Sequence, residues 1–269
     1  MPEEILQEIT LEQKTFLSFF LNREVTIDFY LPTNVPKPSE LSILVINDGQ
    51  DLPKMKFDVM LNEMLLSKSI TPVLCAAVHA SDKRMMEYGT VGLKDYKGRG
   101  GDAGLYQQFL IEELIPFVQF EYRIERFSSK AVAGFSLGGL SALDTVWSHP
   151  KLFNLAGVFS GSLWWRTKDL EEGYVEETDR IMHQKIKAGY WVPGLRFYFT
   201  TGSLDETADR NNNGIIDSID DTLGLIKELK SLGYAAPDDI YYINDEQGRH
   251  DVTTWGKAMP GFLLWGWKK

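Results

Sequence analysis

Lys130-Ala131-Val132-Ala133-Gly134-Phe135-Ser136-Leu137-Gly138-Gly139 joins a strand-like apolar run to a helix-period pattern over 140–147, with a serine at the join. This is G-x-S-x-G in the strand-to-helix setting that a nucleophile elbow requires. The turn must be so sharp that a Cβ at 134 or 138 would strike neighbouring chain. Its effect is to lift the Ser136 hydroxyl out of the sheet, above the positive end of the following helix.

Outward from the elbow, the runs 41–46, 71–78, Lys130–Phe135 and 195–200 are nearly continuous in β-branched residues and Leu. Such runs suit strands buried on both faces of a parallel sheet. Segment 25–31 alternates apolar and polar residues like a half-exposed edge strand, and Leu155–Phe159 and 240–243 are also strand-like. Between these lie Phe57–Leu66, 105–120, 137–147, 222–232 and 254–265, with apolar residues spaced at three and four. Strands alternating with helices imply an α/β class: a mostly parallel, doubly wound sheet with helices on both faces. Ligands of such sheets bind beyond the carboxyl ends of the strands.

A serine at its ordinary pKa needs a histidine base held by a carboxylate. In a chain built around this elbow the order is Ser, then Asp or Glu, then His. Two histidines lie well beyond Ser136. His183 sits mid-pattern in 179–187, read as a surface helix with a solvated side chain. His250 follows the strand-like 240–243 and precedes the last helix, where the base belongs. His79 and His149 read as structural. The acid should follow the strand 195–200, in Gly202-Ser203-Leu204-Asp205-Glu206. Asp205 is the expected residue, with Glu206 the alternative because the register of the turn is not fixed by sequence. Two N–H groups must face the developing oxyanion. Leu137, next after the nucleophile, supplies one, and the loop Asn47-Asp48-Gly49-Gln50-Asp51 should supply the other through Gln50. Asp48 and Asp51 are expected to fix that loop.

The chain has 269 residues, 15 Phe, 11 Tyr and 7 Trp, 43% hydrophobic and 25% charged residues, and no repeat or linker-like stretch. One domain spanning 1–269 with a sizeable core is expected. A net charge of −10 argues against nucleic-acid or anionic-membrane partners. The lone Cys75, in an apolar run, reads as a buried structural thiol. Glu3, Glu4, Glu8, Glu12 and Lys14 exclude a secretory apolar core from the first twenty residues. A cytoplasmic chain is therefore expected, or a periplasmic or secreted one if a leader has been removed.

The sequence resembles the esterase family that includes enterochelin esterases, feruloyl esterases, S-formylglutathione hydrolases and the antigen-85 mycolyltransferases. The matching pieces are Asp48-Gly49-Gln50-Asp51, Arg84 to Glu87-Tyr88, Glu112 to Pro116, Ala133 to Gly139, Phe159-Ser160-Gly161-Ser162-Leu163-Trp164-Trp165, Gly202 to Asp205 and His250 to Trp255. They run from about residue 20 to the C-terminus. The Ser-Gly-Ser-x-Trp-Trp piece is most similar to the enterochelin esterase branch, in which it flanks the active site. The resemblance implies an α/β-hydrolase fold, Ser136, Asp205 and His250 as triad, and Gln50 with Leu137 as oxyanion hole. The long N-terminal lid domain of some enterochelin esterases is not expected within these 269 residues, which leave no room for it.

An insertion after the acid, Asp209-Arg210-Asn211-Asn212-Asn213-Gly214-Ile215-Ile216-Asp217-Ser218-Ile219-Asp220, places oxygen side chains at positions 1, 3, 5, 9 and 12 with Gly at 6. That is the pattern of an EF-hand-type calcium loop over 209–220, except for Asp in place of Glu at position 12. Structural Ca²⁺ is expected on Asp209, Asn211, Asn213, Asp217, Asp220 and the Ile215 carbonyl, and no cofactor for catalysis. The expected function is carboxylic-ester hydrolysis of a small-molecule ester through an acyl-enzyme. A feruloyl or acetyl carbohydrate esterase, or a non-catalytic calcium-binding protein on the same fold, is the alternative. Trp164 and Trp165 suggest an aromatic wall, although buried packing explains them nearly as well. Arg84 and Arg99 suit an anionic leaving group, although loop arginines usually face solvent or pair locally.

Overall fold

A computed structural model describes residues 8–35, 37 and 40–269. Eight strands, β1 (Ile9–Ser18), β2 (Arg23–Pro32), β3 (Ser42–Asn47), β4 (Val73–Val78), β5 (Lys130–Phe135), β6 (Leu155–Phe159), β7 (Arg196–Leu204) and β8 (Ile240–Arg249), form one sheet in the order β1-β2-β4-β3-β5-β6-β7-β8. The β1–β2 and β2–β4 pairs are antiparallel and the remaining pairs parallel. This is the α/β-hydrolase fold. The strand order reverses at β4-β3-β5, so the loops after β3 and β5 meet at the switch point where such sheets bind ligands.

The helices follow the same logic. They are α1 (Phe57–Leu66), α2 (Arg84–Glu87), α3 (Ala103–Gln108), α4 (Ile115–Glu121), α5 (Leu137–Ser148), α6 (Glu176–Asp179), α7 (Ile181–Lys187), α8 (Asp217–Ser231) and α9 (Val252–Trp267). A π-helical stretch, Phe109–Leu114, joins α3 to α4, so the periodicity of 105–120 is one continuous helical rod. Alternation along each strand splits the core into two layers. Ile43 and Val45 of β3 pack on one face with Leu110, Leu140 and Met182, and Leu44 and Ile46 on the other with Leu61, Met259 and Phe262. All four β3 side chains are fully buried, which is why 41–46 reads as an unbroken apolar run. Among the described residues, no helix is long and apolar enough to cross a membrane.

Two expectations need correction. Segment 25–31 is not an edge: β1 covers its outer side over ten paired positions, from Ile9–Pro32 to Ser18–Arg23. The exposed β1, with Glu12, Gln13 and Lys14 at its middle, is the edge strand, and its polarity hid it. His183 is not solvated, because α7 packs it inward on α8, where it is 2% exposed and its Nε2 donates to the Asp221 carbonyl at 2.9 Å.

Candidate active site

Ser136 sits at φ 53°, ψ −120°, between β5 and α5. A non-glycine residue there costs about 1–3 kcal/mol, tolerated only where the surroundings enforce it. They do. A Cβ on Gly134 would lie 2.4 Å from the Gly138 carbonyl oxygen, and one on Gly138 would lie 2.6 Å from Asp48 Oδ2. The Ser136 N–H donates to Phe159 O at 2.9 Å. Asn47, the last residue of β3, donates its side-chain amide to Gly138 O at 2.8 Å and accepts from the Tyr106 hydroxyl at 2.7 Å. The elbow is thereby clamped to the loop after β3.

The strand beside the elbow, β6, runs into a second tight turn. Ser160 has φ 44°, and its Oγ accepts from the Trp255 indole N–H at 3.1 Å. Ser162 donates its backbone N–H to Ser136 O at 3.0 Å, and its hydroxyl lies 3.2 Å from Ser136 Oγ. Ser136, Ser162, Trp164, Asp205, Glu206 and His250 share one cavity of about 290 Å³.

Asp205 and His250 reach this cavity from the ends of β7 and β8. A close crossing makes that approach possible: a Cβ on Gly202 would lie 2.4 Å from the Gly248 backbone. Asp205 Oδ2 accepts from the Gly202 N–H at 3.0 Å. Its Oδ1 is buried and has no hydrogen-bond partner among the described residues. His250 stands edge-on to Trp255, with ring centroids 5.2 Å apart, and Trp255 in turn stacks on Phe135 at 5.2 Å. Partial burial lowers the His250 pKa below its usual value and Arg84 pushes the same way, while Asp205 and Asp251 raise it. Glu206 spends Oε1 on the Ser218 N–H at 2.7 Å, at the start of α8. Burial raises its pKa, and Asp217, Asp221 and Asp205 raise it further.

The remaining expected site residues divide. Leu137 is the first residue of α5, so its N–H has no intrahelical acceptor. Gln50 lies in the 3-10 turn Gly49–Met55, ahead of its first hydrogen bond, Asp51 N–H to Asp48 O at 3.0 Å. The Gln50 side chain holds the Ala80 N–H at 2.9 Å. Arg84 is not a free cation for substrate, since its fork closes on Asp48 at 2.6 and 2.7 Å and its plane covers Tyr88. Arg99 pairs locally with Asp95 and lies over Trp164 and Trp165 at 5.2 and 5.1 Å. Trp164 lines the cavity, but Trp165 is fully buried, packed so closely on Gly89 and Gly100 that a Cβ on either would meet it at 3.0–3.1 Å. Only Trp164 is therefore available as a wall. His79 bonds Asp28 at 2.7 Å and His149 bonds Gln107 at 3.0 Å, both away from the cavity. Cys75 is buried, which pushes its thiol pKa up.

In the insertion, Asp209 accepts from the Asn213 and Gly214 N–H groups at 3.0 and 2.9 Å, and Asn213 Oδ1 from Ile215 N–H at 2.8 Å. Asn211 donates to Asp220 at 2.9 Å. Positions 1, 3, 5 and 12 are thus tied into one tight loop. Asp217 instead accepts from the Arg210 N–H at 2.9 Å, and the Arg210 guanidinium also binds Asp221. Among the described residues, no group of three or more His, Cys, Asp and Glu is arranged to hold a metal ion. The neutral oxygens of Asn211, Asn213 and Ile215 would have to complete any cation site.

Comparison with known proteins adds the family. A family model described as "Putative esterase" matches residues 18–265. An uncharacterised protein of Bacillus subtilis is 24% identical over 248 residues, covering 91% of this chain and 92% of its own. The iron(III) enterobactin esterase of Escherichia coli is 28% identical over 209 residues, 74% of this chain and 46% of that protein. The crystal structure of an enterobactin esterase from Shigella flexneri superimposes with a TM-score of 0.71 at 20% identity, covering 96% of this chain and 59% of that one. The chain thus spans about half to three-fifths of the length of these enterobactin esterases.

Proposed function

The chain belongs to the esterase family, enzymes that cleave carboxylic esters, and we propose that it does so through an acyl-enzyme on Ser136. The observation that carries this reading is the convergence of Ser136, Asp205 and His250, from the ends of three different strands, on one cavity. His250 takes the Ser136 proton as the hydroxyl attacks the ester carbonyl, then returns it to the leaving alcohol; water repeats the cycle on the acyl group. The depressed pKa of His250 keeps the ring neutral and able to act as base near neutral pH. Asp205, with one carboxylate oxygen unspent, steadies the imidazolium that forms. Glu206 suits that role less well, because it is committed to the start of α8. The N–H groups of Leu137 and Gln50 receive the oxyanion. The name of the Escherichia coli relative makes enterobactin-type esters the first natural substrates to try. Ser136→Ala should lower kcat on p-nitrophenyl acetate by about four orders of magnitude. Normal turnover by that variant would end the proposal.

We also propose that loop 209–220 holds one structural Ca²⁺, through Asp209, Asn211, Asn213, Asp217, Asp220 and the Ile215 carbonyl. Support comes from the ligand spacing and from the bonds that already draw positions 1, 3, 5 and 12 together. Asp217 would exchange part of its Arg210 pairing for the ion.

A further inference from the structure

Two polar groups in the cavity wall are not used by the acyl-transfer scheme proposed above. Ser218, second residue of α8, is only 9% exposed, and its hydroxyl has no hydrogen-bond partner among the described residues. Glu206 is bound to the Ser218 N–H through Oε1, which leaves its carboxylate with further acceptor capacity. Both residues line the cavity that contains Ser136 and His250. A buried hydroxyl left unpaired is costly, so a ligand group that satisfies it is selected over one that does not.

The charge of that group is constrained from both sides. A cationic ammonium is donor-only, so it would leave the unpartnered Ser218 O–H without an acceptor. An anion would face Glu206 and Asp205 across the same small space. A neutral hydroxyl meets neither objection, and it can donate to Glu206 while accepting from Ser218. We infer that Glu206 and Ser218 form a polar subsite that selects esters bearing a neutral hydroxyl close to the scissile bond. The cavity volume of about 290 Å³ keeps that hydroxyl on a short group, within a few atoms of the ester carbonyl. This rests on the esterase reading above and adds the substrate class.

Two matched pairs test it: p-nitrophenyl butyrate against p-nitrophenyl 3-hydroxybutyrate, and ethyl butyrate against 2-hydroxyethyl butyrate. Wild-type protein should favour the hydroxylated member of one pair about tenfold in kcat/KM, the worth of one well-made hydrogen bond. Ser218→Ala and Glu206→Gln should each bring that ratio close to one. The ratio within a pair cancels any loss of folded protein, so a variant that merely folds poorly leaves it intact. Parity in both wild-type pairs, a ratio retained in both variants, or a stronger preference for the 3-amino analogue overturns the subsite alone. If wild-type protein hydrolyses none of the four esters, the esterase reading fails and the subsite with it.

Discussion

At Asp205 one carboxylate oxygen is held by the Gly202 N–H and the other is buried without a hydrogen-bond partner among the described residues. Left that way, the second oxygen costs about 1–3 kcal/mol; an imidazole N–H would offset it. On p-nitrophenyl acetate, which has no hydroxyl, Asp205→Asn should therefore lose at least a hundredfold more kcat than Glu206→Gln. A reversed order would make Glu206 the acid. The pH profile gives a second reading. His250 must be neutral to act, and its pKa is lowered, so the acid limb of kcat/KM should have its midpoint below about 6.5. Asp205 raises that pKa, so removing its charge should move the residual limb to still lower pH; a limb that moves up would contradict the pairing. The two tryptophans separate in the same way. Trp164→Ala should cost bulky aromatic esters more than acetyl esters, whereas Trp165→Ala should lower stability by about 3–5 kcal/mol with equal effect on every substrate. The sequence could place the pair in one motif, but which ring turned inward depended on Gly89 and Gly100, some seventy residues away.

Among the elements, α7 and α8 meet through His183, whose pKa burial lowers to about 3. The unfolded chain binds a proton there near pH 6.5 and the folded chain does not until near pH 3. Between those limits the unfolded state holds more protons, so stability falls as pH drops. His183→Gln, which keeps a donor but does not titrate, should flatten the decline of Tm between pH 6.5 and 4 in scanning calorimetry; an unchanged slope would rule out His183 as its source. The loop that leads into α8 makes a second prediction. Chelation should lower Tm, and Ca²⁺ but not Mg²⁺ should restore it, because Mg²⁺ demands octahedral, water-retaining geometry. Asp209→Ala should imitate the chelator, and no Ca²⁺ binding at millimolar concentration by calorimetry would reduce the insertion to a self-bonded loop built around Arg210. Most elements were legible because burial on both faces writes a continuous apolar run, as in β3 and β5. The β1 strand was not: a solvated edge can be polar on nearly every residue. Nor was the inward turn of His183, since a single polar residue on an amphipathic pattern carries no sign of which neighbour will satisfy it.

For the whole molecule, the eight-stranded sheet converts distance along the chain into proximity. Ser136, Asp205 and His250 are separated by 69 and 45 positions in the sequence, yet each falls just beyond the carboxyl end of a strand. That convergence was legible because chain order and strand ends follow from topology. Ser162 lay inside a quoted motif without a role, and only the folded chain put its hydroxyl against the nucleophile. Ser218 was hidden within the calcium pattern, where spacing drew attention to its acidic neighbours. The central claim is that one serine among these groups is chemically activated. Incubation with a fluorophosphonate, followed by intact-mass measurement and peptide mapping, reads this directly. One adduct per chain, on Ser136 and absent from both Ser136→Ala and His250→Ala on the same timescale, is the expected result. An adduct on another residue, or no adduct on the wild-type chain under conditions that label a known serine esterase to completion, would contradict it.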